Sequence, residues 1–211
     1  MTDEQVLQRV IDTSYRNFHA KGFDYVCLRR SDDWTVKVYF FDGDMRDNPE
    51  VVCPHDHRYD FRSVVLAGEV TNLRYRAIPG DMYFAFQFRT PLNGGSGFSQ
   101  GMPWSLEKID QRTYQNHEGY VLAAEEIHTI APKESSVLLS WQYRDRMAVD
   151  IPTTTYCPYK TPPSLDGLYE KFSADDVINR LKQIEKLAPG ILQEHALHKI
   201  AGIPFVAEKA R

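Results

Sequence analysis

Between Trp34 and Arg146 the chain is a succession of short runs rich in valine, phenylalanine and tyrosine: TVKVYFF, DFRSVVL, VTNLRYRAI, DMYFAFQF, YVLAAEEIHTI and SVLLSWQY. Turn-forming residues part them, at Asp42-Gly43-Asp44, Gly68-Glu69, Pro79-Gly80-Asp81, Asn93-Gly94-Gly95 and Pro132. β-Branched and aromatic side chains suit a pleated, half-buried surface. Turns at roughly ten-residue spacing leave no length for helices between them. The pattern predicts an antiparallel all-β sandwich or barrel.

The flanks read differently. Residues 3–20 place Val6, Leu7, Val10, Ile11 and Phe18 on one helical stripe with Tyr15 between, capped by Thr2 or Asp3 and stopped by Gly22. After Arg146 comes a Pro- and Thr-rich connector, IPTTTYCPYKTPP. Ser173 then opens a helical pattern through Val177, Ile178, Leu181, Ile184 and Leu187, closed by Pro189-Gly190, with a second short helix over 191–200. The expected layout of residues 1–211 is a single domain: a barrel core over 34–146, an N-terminal helix 3–20 and a C-terminal helical appendage 173–200, the helices packing outside the barrel. Residues 90–103 (TPLNGGSGFSQGMP) read as a flexible loop and candidate lid, and the period-two stripe Met82, Phe84, Phe86, Phe88 as core.

Charge and composition exclude some functions. A net charge of −4 gives no basic footprint for nucleic acid, and the local arginines Arg58, Arg62, Arg74 and Arg76 have acids among them. One of them is a candidate for orienting a substrate carboxylate. Three cysteines without a CxxC pair suit a reducing compartment, so the expected location is cytoplasmic. The N-terminus has no basic segment followed by an apolar one, and no apolar run approaches the roughly 18 residues of a membrane span. The expected partner is a small-molecule substrate, with a homodimer as the default assembly for a barrel with exposed edges.

The chemistry starts at Pro54-His55-Asp56-His57, which opens a strand. Alternation puts His55 and His57 on one face about 7 Å apart along it. Two imidazoles so placed can grip one divalent ion at about 2 Å each. A hairpin follows through Ser63–Val70, and about 70 residues further on a second strand carries Glu125-Glu126-Ile127-His128.

Over residues 54–146 the chain resembles the cupin superfamily. That family's first motif runs HxH, a carboxylate three or four residues later, then a glycine; its second motif supplies a third histidine from a later strand. His128 stands where that third ligand is expected. The carboxylate positions are Phe61 and Arg62, and Asp60 falls one step short, on the opposite face by parity. The resemblance therefore implies a double-stranded β-helix carrying a three-histidine site, His55, His57 and His128, similar to the thiol dioxygenases (cysteine-dioxygenase-like) and related iron oxygenases.

What the resemblance implies for chemistry is a mononuclear non-haem Fe(II) dioxygenase acting on a small organic substrate, a thiol or a carboxylate. Three neutral imidazoles leave the ion doubly positive with up to three open positions, for a chelating substrate and dioxygen. Glu126 shares a face with His128, as fourth ligand or general base, and Tyr59 and Phe61 share parity with the histidine pair as pocket residues. With Glu126 as base and Mn, Ni or Zn as Lewis acid, isomerase or lyase chemistry is the alternative; a degenerate, non-catalytic ligand-binding barrel is another. His117, in a turn, competes with His128 for the third position. His195 and His198 read as a polar helix face.

Overall fold

The protein's structure is a computed structural model that describes residues 2–42, 53–148 and 151–192. In chain order it contains helix α1 (Asp3–Thr13), strands β1 (Phe23–Arg30), β2 (Trp34–Phe41), β3 (Tyr59–Ala67), β4 (Glu69–Arg89), β5 (Gly97–Phe98), β6 (Met102–Gln115), β7 (Gly119–Leu122), β8 (Ile127–Pro132), β9 (Ser136–Asp145) and β10 (Thr153–Cys157), and helix α2 (Ala174–Leu187). One sheet runs β1-β2-β9-β3-β7; the other is built on β4, which pairs with β5, β6, β8 and β10. All pairings among the described residues are antiparallel. Because β9 inserts between β2 and β3, the chain repeatedly crosses from one sheet to the other. That is the double-stranded β-helix, the jelly-roll barrel of cupin type.

The first sheet is buried on both faces for a simple reason. Val36, Val38 and Phe40 of β2 point outward and pack with Val26, Leu28 and Leu139 against Val10 of α1 and Val177, Leu181 and Ile184 of α2. Residues of the other parity face the barrel interior, where Phe41, Phe61, Val65, Leu138 and Ile130 meet. The helices thus sit outside the barrel and their burial holds the sheet's back. Thr2 caps α1 in a capping box with Gln5, and Ser173 caps α2.

Several expectations change. Helix α1 ends at Thr13 rather than at 20, because Tyr15 exchanges backbone hydrogen bonds with Tyr25 of β1 (3.1 and 2.9 Å). Strands β1, β6 and β10 lie outside the predicted set, and the barrel extends past 34–146 at both ends. β6 is largely exposed, so it lacks the apolar alternation that marks a half-buried strand. Pro79-Gly80-Asp81 is not a turn but an irregularity within β4, where the register with β6 shifts between Ile78 and Tyr83. Gly80 is needed there, since a Cβ would lie 2.1 Å from Ser105 Oγ. Of the Met82–Phe88 stripe only Phe86 is fully buried; Met82, within that irregularity, is 73% exposed. YVLAAEEIHTI is two strands, β7 and β8, parted by a turn. The 90–103 segment holds a short 3₁₀ turn, strand β5 and the start of β6. Residues 43–44 and 193–200, with His195 and His198, lie outside the described residues. Among the described residues no helix is long and apolar enough to cross a membrane.

Candidate metal centre

The backbone itself brings the histidines together. His55 N–H donates to His128 C=O at 2.9 Å and His128 N–H to His55 C=O at 3.0 Å, a closed antiparallel bridge between the segment before β3 and strand β8. Residues that exchange both bonds are directly opposite, so their side chains share one face. His57 N–H donates to Ala124 C=O at 2.8 Å, and Asp56 N–H to Thr154 C=O at 3.1 Å. The segment is therefore pinned between β8 and β10 although it belongs to neither sheet strand. The ring centroids lie 4.7 Å (His55–His57), 5.5 Å (His55–His128) and 5.0 Å (His57–His128) apart. One nitrogen from each of the three falls within 4.8 Å of the others.

These rings suit a metal. Cys53 C=O, which can only accept, lies 2.8 Å from His55 Nδ1, so that nitrogen carries the proton and Nε2 keeps its lone pair. Asn72 Oδ1 lies 2.7 Å from His128 Nδ1 and does the same for that ring. His57 Nδ1 is buried and has no hydrogen-bond partner among the described residues, an orphaned donor or acceptor that coordination would relieve. Burial holds all three imidazoles below their usual pKa: for His57 the neighbouring His55 and His128 add to it, for His128 the neighbours His55 and Arg74, while at His55 the Cys53 carbonyl opposes it. Neutral imidazole is the form that binds a metal.

The structure places the other predicted residues less uniformly. Tyr59 lines the cavity; burial pushes its hydroxyl pKa up, and Gln142 Nε2 donates to that hydroxyl at 2.9 Å. Phe61 lies 4.7 Å from the His57 ring. Glu126, expected on the face of His128, stands instead at the end of the turn before β8. Its carboxylate is taken by Arg74 and by the Ala123 N–H (2.7 Å), and it is not among the residues lining the cavity. The parity argument failed because Glu126 precedes the strand. Asp60 faces away, accepting from Ala124 N–H and pairing with Arg146, each at 2.9 Å. Arg76 pairs with Glu107 across the sheet, and His117 is exposed in a turn outside the three-histidine group.

The centre opens into a cavity of about 1900 Å³ that runs from the barrel interior out past the β1–β2 turn and residues 158–169. Sequence reading missed Lys37, Tyr39, Gln142 and His19 in the cavity lining, and Asn72 behind His128. His19, whose ring lies 5.9 Å from that of His55, is also kept neutral by burial, then by His55 and Lys37. For Lys37 and Tyr39 a signal existed: they share parity with buried Phe41 on β2, opposite the helix-facing Val36, Val38 and Phe40.

No family model and no curated protein matches the chain. Among solved structures it is similar to KdgF from Halomonas sp. (15% identity, covering 59% of this chain and 82% of that one, TM-score 0.34). It is similar to a cupin superfamily protein from Desulfitobacterium hafniense DCB-2 (16% identity, 57% and 76%, TM-score 0.33). A third is Streptomyces albus HEPD with 2-hydroxyethylphosphonate and Fe(II) bound (11% identity, 65% and 26%, TM-score 0.41). Identities and scores this low add nothing to what the sheet order and the three histidines themselves say.

Proposed function

We propose that this chain is a metal-dependent enzyme in which His55, His57 and His128 hold one divalent ion, Fe(II) in our reading, and that it oxidises a small organic substrate with dioxygen. The observation that carries the reading is the donor set: three imidazole nitrogens within 4.8 Å of one another and no carboxylate among them. An Fe(II) ion held by neutral donors alone would supply a doubly positive centre with open positions and redox chemistry.

The chain's own residues do the positioning. Cys53 C=O and Asn72 fix the tautomer and tilt of His55 and His128. Phe61 and Tyr120 put their rings 5.5 and 6.4 Å from the His128 ring, walling that side with apolar surface. Gln142 Nε2 donates to both Tyr59 Oη (2.9 Å) and Tyr39 Oη (3.3 Å), so each phenol keeps its own proton to donate into the cavity. Burial holds both phenols protonated, which suits a donor that orients substrate and does not suit a base. The Lewis-acid alternative with Mn, Ni or Zn asks for Glu126 as base, and that carboxylate is engaged by Arg74 instead.

The test is anaerobic loading with Fe(II) followed by nitric oxide. A high-spin iron–nitrosyl electron paramagnetic resonance signal, together with substrate-dependent oxygen consumption, is expected. Turnover by a Zn- or Mn-loaded form without oxygen, with no nitrosyl signal from the iron form, would replace the oxidative reading with the Lewis-acid one.

A further inference from the structure

The inner face of the first sheet carries a polar band that the metal centre does not explain. Strand register lines up Cys27, Lys37, Ser140, Ser63 and Tyr120 across β1, β2, β9, β3 and β7. Lys37, Ser140, Ser63 and Tyr120 all line the cavity that holds the three histidines. In a barrel otherwise filled by Phe23, Phe41, Phe61, Val65 and Leu138, such a band has a cost, and its cation is the costliest member.

Lys37 is 6% exposed. Among the described residues its ammonium makes no hydrogen bond and no ion pair; it lies over the faces of Tyr25 (4.7 Å) and Phe18 (5.5 Å). Buried lysines are almost always paired with an acid. Here the ring faces stabilise the charge only in part. Burial, with Arg30 adding to it and Cys27 and Asp145 opposing it, lowers the Lys37 pKa to about 8, which leaves the group mostly charged at neutral pH. Lys37 is close enough to His19 and His57 that its charge acts on both rings. Asp145 of β9 is the acid whose charge favours this ammonium, but it is held by Arg58 at 2.9 Å, and the space beside Lys37 is the cavity.

We infer that Lys37 is the anchor for a small oxyanion, a carboxylate or a phosphonate, carried by the substrate that lies in the cavity beside the three histidines. The inference rests on the metal-centre reading only for calling that anion part of a substrate; the anion site itself stands on Lys37 and the band. The substrate is then a small acid, its anionic end against Lys37 with Ser140 and Ser63 along the same row, and its other end toward the histidines. A neutral thiol or alcohol would leave the ammonium as unpartnered as it is now.

The experiment uses the full chain labelled with ¹³C-lysine, as purified and again after chelation of metal. Acetate, methylphosphonate and neutral acetamide are titrated in turn and followed at the Lys37 ¹³Cε resonance, identified by its loss in Lys37→Met. A saturable shift with acetate marks a carboxylate site, and one with methylphosphonate alone marks a phosphonate site; either supports the anchor, and acetamide should give none. The same anion should no longer bind to Lys37→Met or Lys37→Gln, read at the ring resonances of Tyr25. Lys37→Met should also unfold at a higher temperature than the parent, since it removes an unpaired buried charge. Equal shifts with acetamide, or no saturable shift with either anion, would overturn the anchor. Because the chelated arm contains no metal, that failure would leave the three-histidine centre untouched, whereas histidine variants that lose metal but keep the anion shift would separate the two sites cleanly.

Discussion

Asn72→Ala is the substitution that most directly tests how the metal centre is built. Asn72 is 3% exposed on β4, opposite Ile130, and its Oδ1 is the acceptor 2.7 Å from His128 Nδ1, itself on a residue only 5% exposed. Alanine leaves that N–H buried without an acceptor, which costs about 1–3 kcal/mol of folding stability. It also frees the ring to turn and to move its proton to the nitrogen that should face the ion. Loss of such an outer partner typically weakens metal binding by about 10–100-fold, equivalent to about 1.4–2.8 kcal/mol. The assay is competition for Fe(II) or Zn against a chromophoric chelator, paired with thermal melts of the metal-free and metal-loaded protein. The stabilisation gained on loading should shrink by the same amount as the affinity, because both report the same linkage. Asn72→Asp keeps an acceptor in place and should recover most of the affinity. An Asn72→Ala protein that binds metal as tightly as the parent would refute the reasoning: His128 would then not be a ligand held through its Nδ1–H.

Other expectations follow from the same geometry. His55→Ala and His57→Ala should each lose most bound metal while keeping the β-sheet circular dichroism, since the ladders of both sheets form without the ion; His117→Ala, exposed in its turn, should keep it, and elemental analysis decides. Stability of the metal-free protein should fall as pH drops through 6.5, the unperturbed histidine value, because His19, His57 and His128 are held well below it when folded. The unfolded chain then binds more protons than the folded one, so the unfolding free energy rises with pH across that window. Denaturant melts over a pH series measure the slope, and a flat profile through that range would show that these rings are not neutral in the fold.

How much of this was legible beforehand divides along a physical line. The strand-rich texture of 34–146 and the flanking helical stripes were readable, because period-two and period-3.6 patterns are local consequences of burying one face. The same alternation put His55 and His57 on one side, and the cupin resemblance pointed to His128, whose ring now lies about as near to theirs as they lie to each other. Local pattern misled where the chain was not yet in a strand, as at Glu126, and where a strand was too exposed or too irregular to alternate, as in β6 and across Gly80 of β4.

What a residue faces is set by chain segments far away in sequence, and only closure of the barrel decided that. Asn72 is an ordinary polar residue in VTNLRYRAI until β8 lays His128 beside it, 56 positions later. Lys37 is one lysine in TVKVYFF until β1 and β9 seal it between Cys27 and Ser140. Sequence by itself determined most of the strands, the shared face of His55 and His57 and the three candidate donors, because those depend on spacing along one chain and on the motif it resembles. Which groups hold the donors, and which charge waits opposite them, depends on distances across the barrel, and these exist only once it has closed.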